Sequence, residues 1–192
     1  MTMQCSPQSI PEVKLLIPDV YGDARGFFQE TFHAERYRAA GIDVSFIQDN
    51  WSRSIRHTLR GLHYQLHRPQ AKLVWVVRGE LLDVVVDVRR RSPTFGQSVV
   101  AVLSETNHHQ LFVPRGFAHG FCVLSESADF FYKCDEFYEP NDERGILWSD
   151  PALDIAWPVE TPLLSARDLS LKPLAQVSPQ DLPVHPGLPT PD

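Results

Sequence analysis

Two short segments of the chain carry the side chains best suited to proton transfer. Residues 59–65 (LRGLHYQ) contain His63 and are followed by Lys72, and residues 113–121 (VPRGFAHGF) contain His119. Ionisable side chains are unusual in such apolar, β-like runs. A histidine base beside a fixed cation suits the removal of a proton next to a carbonyl group, because the cation stabilises the enolate oxygen. We therefore interpret the two segments as parts of one concave site that binds an anion and moves protons.

The position of His63 relative to Lys72 depends on how their strands pair. Residues 59–66 and 72–77 look like two strands of one hairpin. If Gln65 pairs with Lys72, the two-residue period of a strand places His63 and Lys72 on the same face, whereas a shift of one residue separates them. On spacing alone, the alternative is a core histidine with satisfied hydrogen bonds and a lysine at a strand edge.

A metal site is the competing interpretation of the histidines. His63, His67 and His119 could supply three imidazole ligands, and the spacing from Pro114 through Gly116 to His119 resembles one half of the cupin metal signature. The other half is missing, because the sequence has no His-x-His pair and no glutamate between positions 65 and 78. The sequence also has no glycine-rich nucleotide-cofactor motif. We therefore predict that the protein uses neither a metal nor a cofactor.

The elements that must position these residues are mostly strands. Residues 33–40 form the one well-marked early helix, which ends at Gly41, and Gly79 within residues 77–81 is a hairpin signal. The other predicted strands are short apolar runs at 14–17, 27–32, 73–77, 81–88, 98–103, 109–113, 121–124 and 130–134. Many short strands with few helices indicate a mostly β sandwich or barrel, of which a jelly roll is the natural closed form.

Length and composition are those of a soluble globular protein. The 192 residues are 43% apolar and 22% charged, which is ordinary for that class. The net charge of −6 disfavours binding to nucleic acid or to anionic membranes. Three cysteines without paired spacing indicate no disulfide framework. With no apolar run of membrane-spanning length and no signal-peptide pattern at its start, the chain is predicted to be cytoplasmic.

The sequence pattern changes near Pro151, where the strands give way to loops that contain many prolines and to short helical turns. We predict a single domain over residues 1–176, which includes this loop region. Residues 177–192 are then expected to form a loosely held, proline-rich tail.

A series of short sequence blocks occurs in an order that is typical of one family. The blocks are DARGFFQE (23–30), QDNWSRS (48–54), LRGLHYQ (59–65), QAKLV (70–74), DVVVDVR (83–89), SPTFG (92–96), PRGFAHGF (114–121), YK (132–133), GILWSDP (145–151) and LSARD (164–168). Each block is weak by itself, but the ordered set is specific. The chain resembles the dTDP-4-dehydrorhamnose 3,5-epimerases, isomerases of a deoxysugar pathway with a metal-independent, cupin-type jelly-roll fold.

The resemblance implies catalytic roles for four residues. The family's substrate is dTDP-4-dehydro-6-deoxy-D-glucose, whose C4 ketone acidifies the protons on C3 and C5, and its product is dTDP-4-dehydro-L-rhamnose. His63 matches the general base, and Tyr132 matches the acid that returns a proton to the opposite face. Asp168 matches the carboxylate that orients the base. Lys72 matches the group near the C4 oxygen, where an enolate develops.

The resemblance also implies a nucleotide-sugar site. Arg25, Arg60 and Arg167 would supply forked donors to the diphosphate, and Arg167 stands where many relatives carry lysine. The other residues that match the substrate site, including two aromatic candidates for stacking on thymine, are Phe28, Glu30, Gln48, Asp49, Asn50, Lys72, His119, Tyr138 and Glu143. Members of the family are usually homodimers whose N-terminal strands cross to the partner, so Arg25 and Glu30 would serve the neighbouring site.

Two other functions stay open on the sequence. A mono-epimerase that inverts only C3 or only C5 of another dTDP-deoxysugar would use the same base, acid and lysine. A cupin that binds a sugar nucleotide without catalysis, or with a metal, is the alternative from another class. The joint presence of His63, Tyr132, Asp168 and Lys72 disfavours a binding module, and the incomplete ligand set disfavours the metal.

Overall fold

Two antiparallel sheets and a short hairpin dominate the protein, whose computed structural model describes residues 3–187. The strands are β1 Met3–Ser6, β2 Lys14–Pro18, β3 Val20–Asp23, β4 Gly26–Gln29, β5 Gln48–Ile55, β6 Leu59–Gln65, β7 Lys72–Arg78, β8 Glu80–Asp87, β9 Ser98–Ser104, β10 Gln110–Val113, β11 Phe117–Val123, β12 Ser127–Cys134 and β13 Glu143–Gly145. The helices are α1 Ala34–Ala39 and the 3₁₀ helices Pro151–Leu153, Asp168–Ser170, Leu174–Gln176 and Pro179–Asp181. Within residues 3–187, no helix has the length and apolar character needed to cross a membrane.

The strand order is that of a jelly roll. One sheet has six strands in the order β1-β2-β10-β7-β12-β5, and the other has five in the order β13-β6-β11-β8-β9, while β3 and β4 form a separate hairpin. From β5 to β8, and again from β10 to β13, successive strands alternate between the two sheets. This alternation wraps the chain around one core in two facing sheets. The predicted mostly β, jelly-roll fold is confirmed.

The two hairpins predicted from the sequence are wrong. β6 pairs with β11 and β13, whereas β7 pairs with β10 and β12, so His63 and Lys72 belong to different sheets. The turn at Gly79 likewise leads from β7 in one sheet to β8 in the other. Each connection crosses between the sheets because the jelly roll places successive strands on opposite sides of the core. Proximity in sequence therefore does not report pairing in this part of the chain.

Three apolar clusters fill the space between and outside the sheets. The largest lies between them and includes Val85 of β8 and Phe130 of β12. A second covers the outer face of the five-stranded sheet, where Leu62 and Val84 contact the C-terminal loops. The third covers the outer face of the six-stranded sheet beneath α1 and includes Trp75. Because both faces are covered, the central strands are apolar on both sides, and their runs read as continuously hydrophobic.

Residues 178–187, which belong to the predicted tail, contact the rest of the fold. Leu182 is buried in the cluster that covers the five-stranded sheet. The hydroxyl of Tyr64 donates a hydrogen bond of 2.7 Å to the backbone oxygen of Asp181, and Arg144 forms an ion pair with the Asp181 carboxylate. The remaining tail residues, 188–192, lie outside the described residues.

Every strand predicted from the sequence has a counterpart in the fold, and α1 is one residue shorter at each end than the predicted helix. Strands β1, β3, β5 and β13 were not predicted. Of these, β5 matters most for the site, because alternate residues along it face the interior between the sheets.

Candidate active site

A cavity of about 590 Å³ opens between the two sheets. Its walls combine polar and ionisable side chains from both sheets with a few apolar ones, and the lining residues are Gln48, Asn50, Ser52, Thr58, Leu59, Arg60, His63, Tyr64, Gln65, Gln70, Lys72, His119, Gly120, Phe121, Phe130, Tyr132, Cys134, Tyr138, Glu143, Leu163, Leu164, Ser165 and Asp168. A cavity of this size holds a small organic ligand. The residues predicted as base, acid, orienting carboxylate and lysine all lie in this lining.

His63 is held by a buried carboxylate on one side of its ring. Its Nε2 lies 2.6 Å from Oδ1 of Asp168, whose side chain is 4% exposed. Burial by itself would raise the pKa of Asp168, but hydrogen bonds from His63, Ser165 and the Gly61 backbone hold that pKa below its ordinary value of 3.8. An ionised carboxylate only accepts hydrogen bonds, so Nε2–H donates to Asp168. The lone pair on Nδ1 is then available as a base.

A β-bulge between β6 and β11 turns Arg60 and His63 to the same side. His119 pairs with His63 while Phe121 pairs with Arg60, so β6 has one extra residue at this point. Without the bulge, residues three apart on a strand would point to opposite faces. The extra residue is accommodated by glycine, because a Cβ on Gly61 would lie 2.6 Å from the Cα of Gly120. Gly61 and Gly120 therefore allow close backbone contact between the two segments that carry His63 and His119.

Glu143 approaches the other side of the His63 ring. Its Oε1 lies 3.7 Å from Nδ1 of His63, beyond hydrogen-bond distance. Its Oε2 accepts a hydrogen bond of 3.1 Å from the Tyr138 hydroxyl and forms an ion pair with Arg167. Arg167 also donates a 3.0 Å hydrogen bond to the backbone oxygen of Glu143. These side chains form a polar cluster beside His63.

A second histidine–carboxylate pair lies next to the first. His119 is directly opposite His63 across β6 and β11, and its Nε2 lies 3.0 Å from both carboxylate oxygens of Asp83. Asp83 is fully buried and His119 nearly so. Asp83 was not predicted as a site residue. The pattern that indicates it is an acidic residue inside the apolar run of residues 81–86, since a carboxylate buried there needs a partner.

Tyr132 and Lys72 belong to the wall opposite His63. Both lie on strands of the six-stranded sheet, whereas His63 lies on the five-stranded sheet. Burial raises the pKa of Tyr132 above its ordinary value of 10.0, so its phenol stays protonated at neutral pH. The cavity therefore has a neutral proton donor and an imidazole base on facing walls. The expected proximity of His63 and Lys72 arises across the cavity and not within one hairpin.

Strand β5 contributes a polar inner face. Gln48, Asn50 and Ser52 line the cavity, and the Gln48 side-chain oxygen accepts a 3.0 Å hydrogen bond from the Tyr138 backbone. Asp49 alternates to the other face, where its Oδ1 lies 2.7 Å from Nζ of Lys133. The structure thus places the predicted Gln48 and Asn50 in the cavity lining, and Asp49 outside it.

Three other predicted substrate-binding residues lie away from the cavity of the same chain. Arg25 is at the tip of the β3–β4 hairpin with 90% of its side chain exposed and is paired with Asp23. Phe28 is also exposed on this hairpin, and Glu30 is paired with Arg36. Within one chain, these residues cannot complete the site.

The alternative metal site does not assemble. His67 is exposed and is absent from the cavity lining that contains His63 and His119. Between residues 3 and 187, no group of three or more His, Cys, Asp or Glu side chains is arranged to hold a metal ion.

Comparison with known proteins places this site in a family. The sequence profile of dTDP-4-dehydrorhamnose 3,5-epimerase matches residues 7–176. The protein of that name from Shigella flexneri is 53% identical over 163 residues, which are 84% of this chain and 90% of that protein. Its namesake from Neisseria gonorrhoeae is 51% identical over 169 residues, which are 88% of this chain but 52% of the length of that protein.

A solved structure agrees with the sequence matches. The dTDP-6-deoxy-D-glucose-3,5-epimerase of Legionella pneumophila, in complex with dTDP-4-keto-L-rhamnose, has a TM-score of 0.93 and 49% identity, covering 95% of this chain and 98% of that one. Profile, identity and fold lead to one conclusion. The chain belongs to the dTDP-4-dehydrorhamnose 3,5-epimerase family, and it is an isomerase of dTDP-rhamnose biosynthesis with a cupin-type jelly roll.

Proposed function

We propose that His63 is the base and Tyr132 the acid in the conversion of dTDP-4-dehydro-6-deoxy-D-glucose to dTDP-4-dehydro-L-rhamnose. The observation that carries this assignment is that the two side chains line one cavity from opposite sheets. Inverting a carbon centre requires removing a proton from one face and returning one to the other. A base and an acid on facing walls meet this requirement, whereas a single group would restore the original configuration.

In the first step, Nδ1 of His63 takes the proton from C3 or C5, and the electron pair moves into the C4 carbonyl to form an enolate. The hydrogen bond from Nε2 to Asp168 keeps the free lone pair on Nδ1 and stabilises the imidazolium that forms. Lys72, whose ammonium group is a hydrogen-bond donor, stabilises the enolate oxygen from the opposite wall.

In the second step, the Tyr132 hydroxyl gives its proton to the opposite face of the same carbon. Burial supports this role, since the raised pKa of Tyr132 keeps the phenol protonated until it is needed. The enolate collapses to the ketone with inverted configuration. Tyr132 is then a phenolate and His63 an imidazolium, and both must exchange protons with solvent before the next inversion.

The remaining lining residues, together with Arg167, which lies outside the lining and pairs with Glu143, would hold the nucleotide and the sugar. Arg60 and Arg167 offer guanidinium groups to the diphosphate, which suits forked recognition of phosphate oxygens. Tyr138, about half exposed at the cavity rim, is the candidate for stacking on thymine. The other candidates in the lining are Gln48, Asn50, His119 and Glu143.

A homodimer would explain the residues that lie outside the cavity. The β3–β4 hairpin exposes Tyr21, Phe27 and Phe28, which is a large apolar surface for such a short element. In a dimer with N-terminal strand exchange, this surface would be covered, and Arg25 and Glu30 would reach the partner's cavity. Sedimentation measurements should give twice the chain mass, and a monomer with full activity would contradict the proposal. A cytoplasmic location and a domain limit at residue 176 stay predictions from the sequence.

The reaction is tested by incubating the enzyme with dTDP-4-dehydro-6-deoxy-D-glucose in deuterated water and locating the label by NMR. Two inversions by solvent-exchanged groups should place deuterium at both C3 and C5. Label at one carbon would identify a mono-epimerase, and the absence of label would contradict epimerase activity on this substrate.

A further inference from the structure

Glu143 occupies the open side of the catalytic imidazole. His63 lies between two carboxylates: Asp168 is 2.6 Å from Nε2, and Glu143 is 3.7 Å from Nδ1. In the lining described above, these two residues are the only carboxylates. The nitrogen that takes the proton from the sugar is therefore the one that faces Glu143.

The two carboxylates differ in their access to water. Asp168 is 4% exposed, and the Nε2–H that it accepts stays in place during the reaction. Glu143 is 15% exposed and is connected through its Oε2 to the Tyr138 hydroxyl and to Arg167, whose side chain is 45% exposed. A proton on Nδ1 can reach the rim of the cavity through Glu143, but it cannot do so through Asp168.

Four other ionisable groups that line the cavity do not offer a second route. Lys72 and Arg60 are cations and repel a proton. His119 is buried, and its Nε2 is committed to Asp83. Tyr132 lies on the opposite wall and loses its proton in the same inversion.

A double epimerase needs such a route more than a single one does. Each inversion leaves His63 protonated, so the second centre can react only after Nδ1 has lost its proton. Until then, the inversion can run backwards, with the Tyr132 phenolate taking back the proton that it gave and the imidazolium returning its own to the opposite face.

We propose that Glu143 is a positioning residue that accepts the proton from Nδ1 of His63 and passes it through the Tyr138 contact to water at the rim. The proton moves from carbon to Nδ1. Once the Glu143 side chain has closed the 3.7 Å gap to hydrogen-bond distance, the proton moves on to Oε1 and then to solvent, which restores the neutral base and the carboxylate. Tyr132 takes back a proton from solvent separately. The sugar can stay bound while the base is reset. This inference rests on the proposed function, because it needs His63 as the base for two inversions.

The test uses Glu143→Gln, which keeps the size of the side chain but cannot accept a proton. Reactions with dTDP-4-dehydro-6-deoxy-D-glucose are stopped at partial conversion, and the singly and doubly inverted sugars are counted by NMR. The fraction of singly inverted sugar should rise by on the order of tenfold, because loss of a general base slows its proton transfer. In Glu143→Ala, whose shorter side chain leaves room for a small carboxylate, added formate should restore double inversion in proportion to its concentration.

Two further variants complete the test. Tyr138→Phe removes only the outward hydrogen bond and should produce a smaller rise of the same kind. Arg144→Gln changes the next residue of β13, whose side chain pairs with Asp181, and should behave as the wild type. A Glu143→Gln enzyme with the wild-type product ratio, or a defect in Glu143→Ala that formate does not change, would overturn the relay. Failure of the wild type itself to invert any centre would instead contradict the proposed function.

Discussion

Two histidine–carboxylate pairs of the same composition each contribute a histidine to the cavity wall, but they differ in what surrounds them. His63 is 24% exposed and uses one nitrogen to bind Asp168, which leaves Nδ1 open to the cavity. His119 is 7% exposed, binds both oxygens of Asp83 through Nε2, and stacks on Phe130. We propose that the first pair exchanges a proton, whereas the second holds a wall of the site in place. Residue types alone do not separate a catalytic pair from a supporting one.

The difference arises from where each carboxylate comes from. Asp83 lies on β8, directly beside β11, so the sheet itself buries its pair with His119. Asp168 comes from a 3₁₀ helix near the edge of the sheet, next to the short strand β13. At Gly145, which is opposite His63, a Cβ would lie 2.8 Å from the Leu171 side chain. Because Gly145 has no side chain, the 3₁₀ helix can approach β13 closely. The Asp168 carboxylate therefore reaches His63 from outside the sheet and leaves the cavity side of the imidazole ring free.

The largest effect is expected for the removal of His63, the more exposed of the two histidines. His63→Ala should lower kcat by on the order of 10²–10⁴-fold, because general base catalysis contributes that much. The affinity for dTDP should stay near the wild-type value, since binding depends on the arginines and aromatic residues. Steady-state kinetics and calorimetric titration with dTDP measure the two quantities. An equal loss of dTDP affinity would make His63 a binding or structural residue, like the buried histidine.

Tyr132→Phe separates the acid from the base. The change removes the phenolic proton and keeps the packing, so inverted product should fall by on the order of 10²-fold or more. His63 should still exchange substrate hydrogen for deuterium from solvent, because it lies on the other wall. Deuterium uptake and product configuration are measured in the same sample. Inversion at the wild-type rate would mean that another group, such as His119 or a bound water, supplies the proton.

The two carboxylates should respond in opposite ways to the same substitution. Asp83→Asn disturbs a fully buried pair and should lower the free energy of unfolding by about 1–3 kcal/mol, with a modest change in kcat. Asp168→Asn should lower kcat by on the order of 10–100-fold, because the base loses the charged hydrogen-bond acceptor that orients it. Chemical denaturation and kinetics distinguish these outcomes. A catalytic defect in Asp83→Asn as large as that in Asp168→Asn would remove the distinction between the pairs.

The stability contribution of Asp168 should depend on pH. Its pKa in the folded protein lies below the ordinary value of 3.8, so the unfolded chain binds the proton first as pH falls. The stabilisation is therefore present above pH 3.8 and is lost as the pH falls through the folded-state pKa. The difference in melting temperature between the wild type and Asp168→Asn should shrink over that range. A difference that is constant with pH would show that the carboxylate charge contributes nothing.

Chelation should have the smallest effect. The described residues include no metal-ligand cluster, and we propose that Lys72 stabilises the enolate in place of a metal ion. Turnover after exhaustive dialysis against a chelator should equal that of the untreated enzyme, with metal content measured in parallel. Loss of activity that returns only with one added metal would contradict the assignment of Lys72.

Sequence patterns predicted the strands that are buried on both faces. β8 was found because covered strands read as continuous apolar runs. β5 was missed because Gln48, Asn50 and Ser52 face the cavity, so the strand lacks the expected inward apolar residues. Its polar inner face is itself a mark of the site, since a core strand would not carry three amide or hydroxyl side chains inward.

Contacts between residues that are distant in the sequence could not be predicted from local sequence patterns. The meeting of His63 with Asp168, 105 residues later, was expected only from the family resemblance. The hairpin proposed for His63 and Lys72 was wrong, because pairing in a jelly roll depends on the path of the whole chain and not on loop length. Asp83 was visible as an acid in an apolar run, but nothing local identified His119 as its partner.

The most direct test of the distinction between the two histidines is deuterium wash-in at C3 and C5 with matched variants. His63→Asn and His119→Asn are each incubated with dTDP-4-dehydro-6-deoxy-D-glucose in deuterated water, at saturating substrate, and label is followed by NMR. The wild type should incorporate deuterium at both carbons, His119→Asn should do so at a moderately reduced rate, and His63→Asn should incorporate almost none. Wash-in by His63→Asn at the wild-type rate would contradict this account, and loss of wash-in only in His119→Asn would show that the buried pair contains the base.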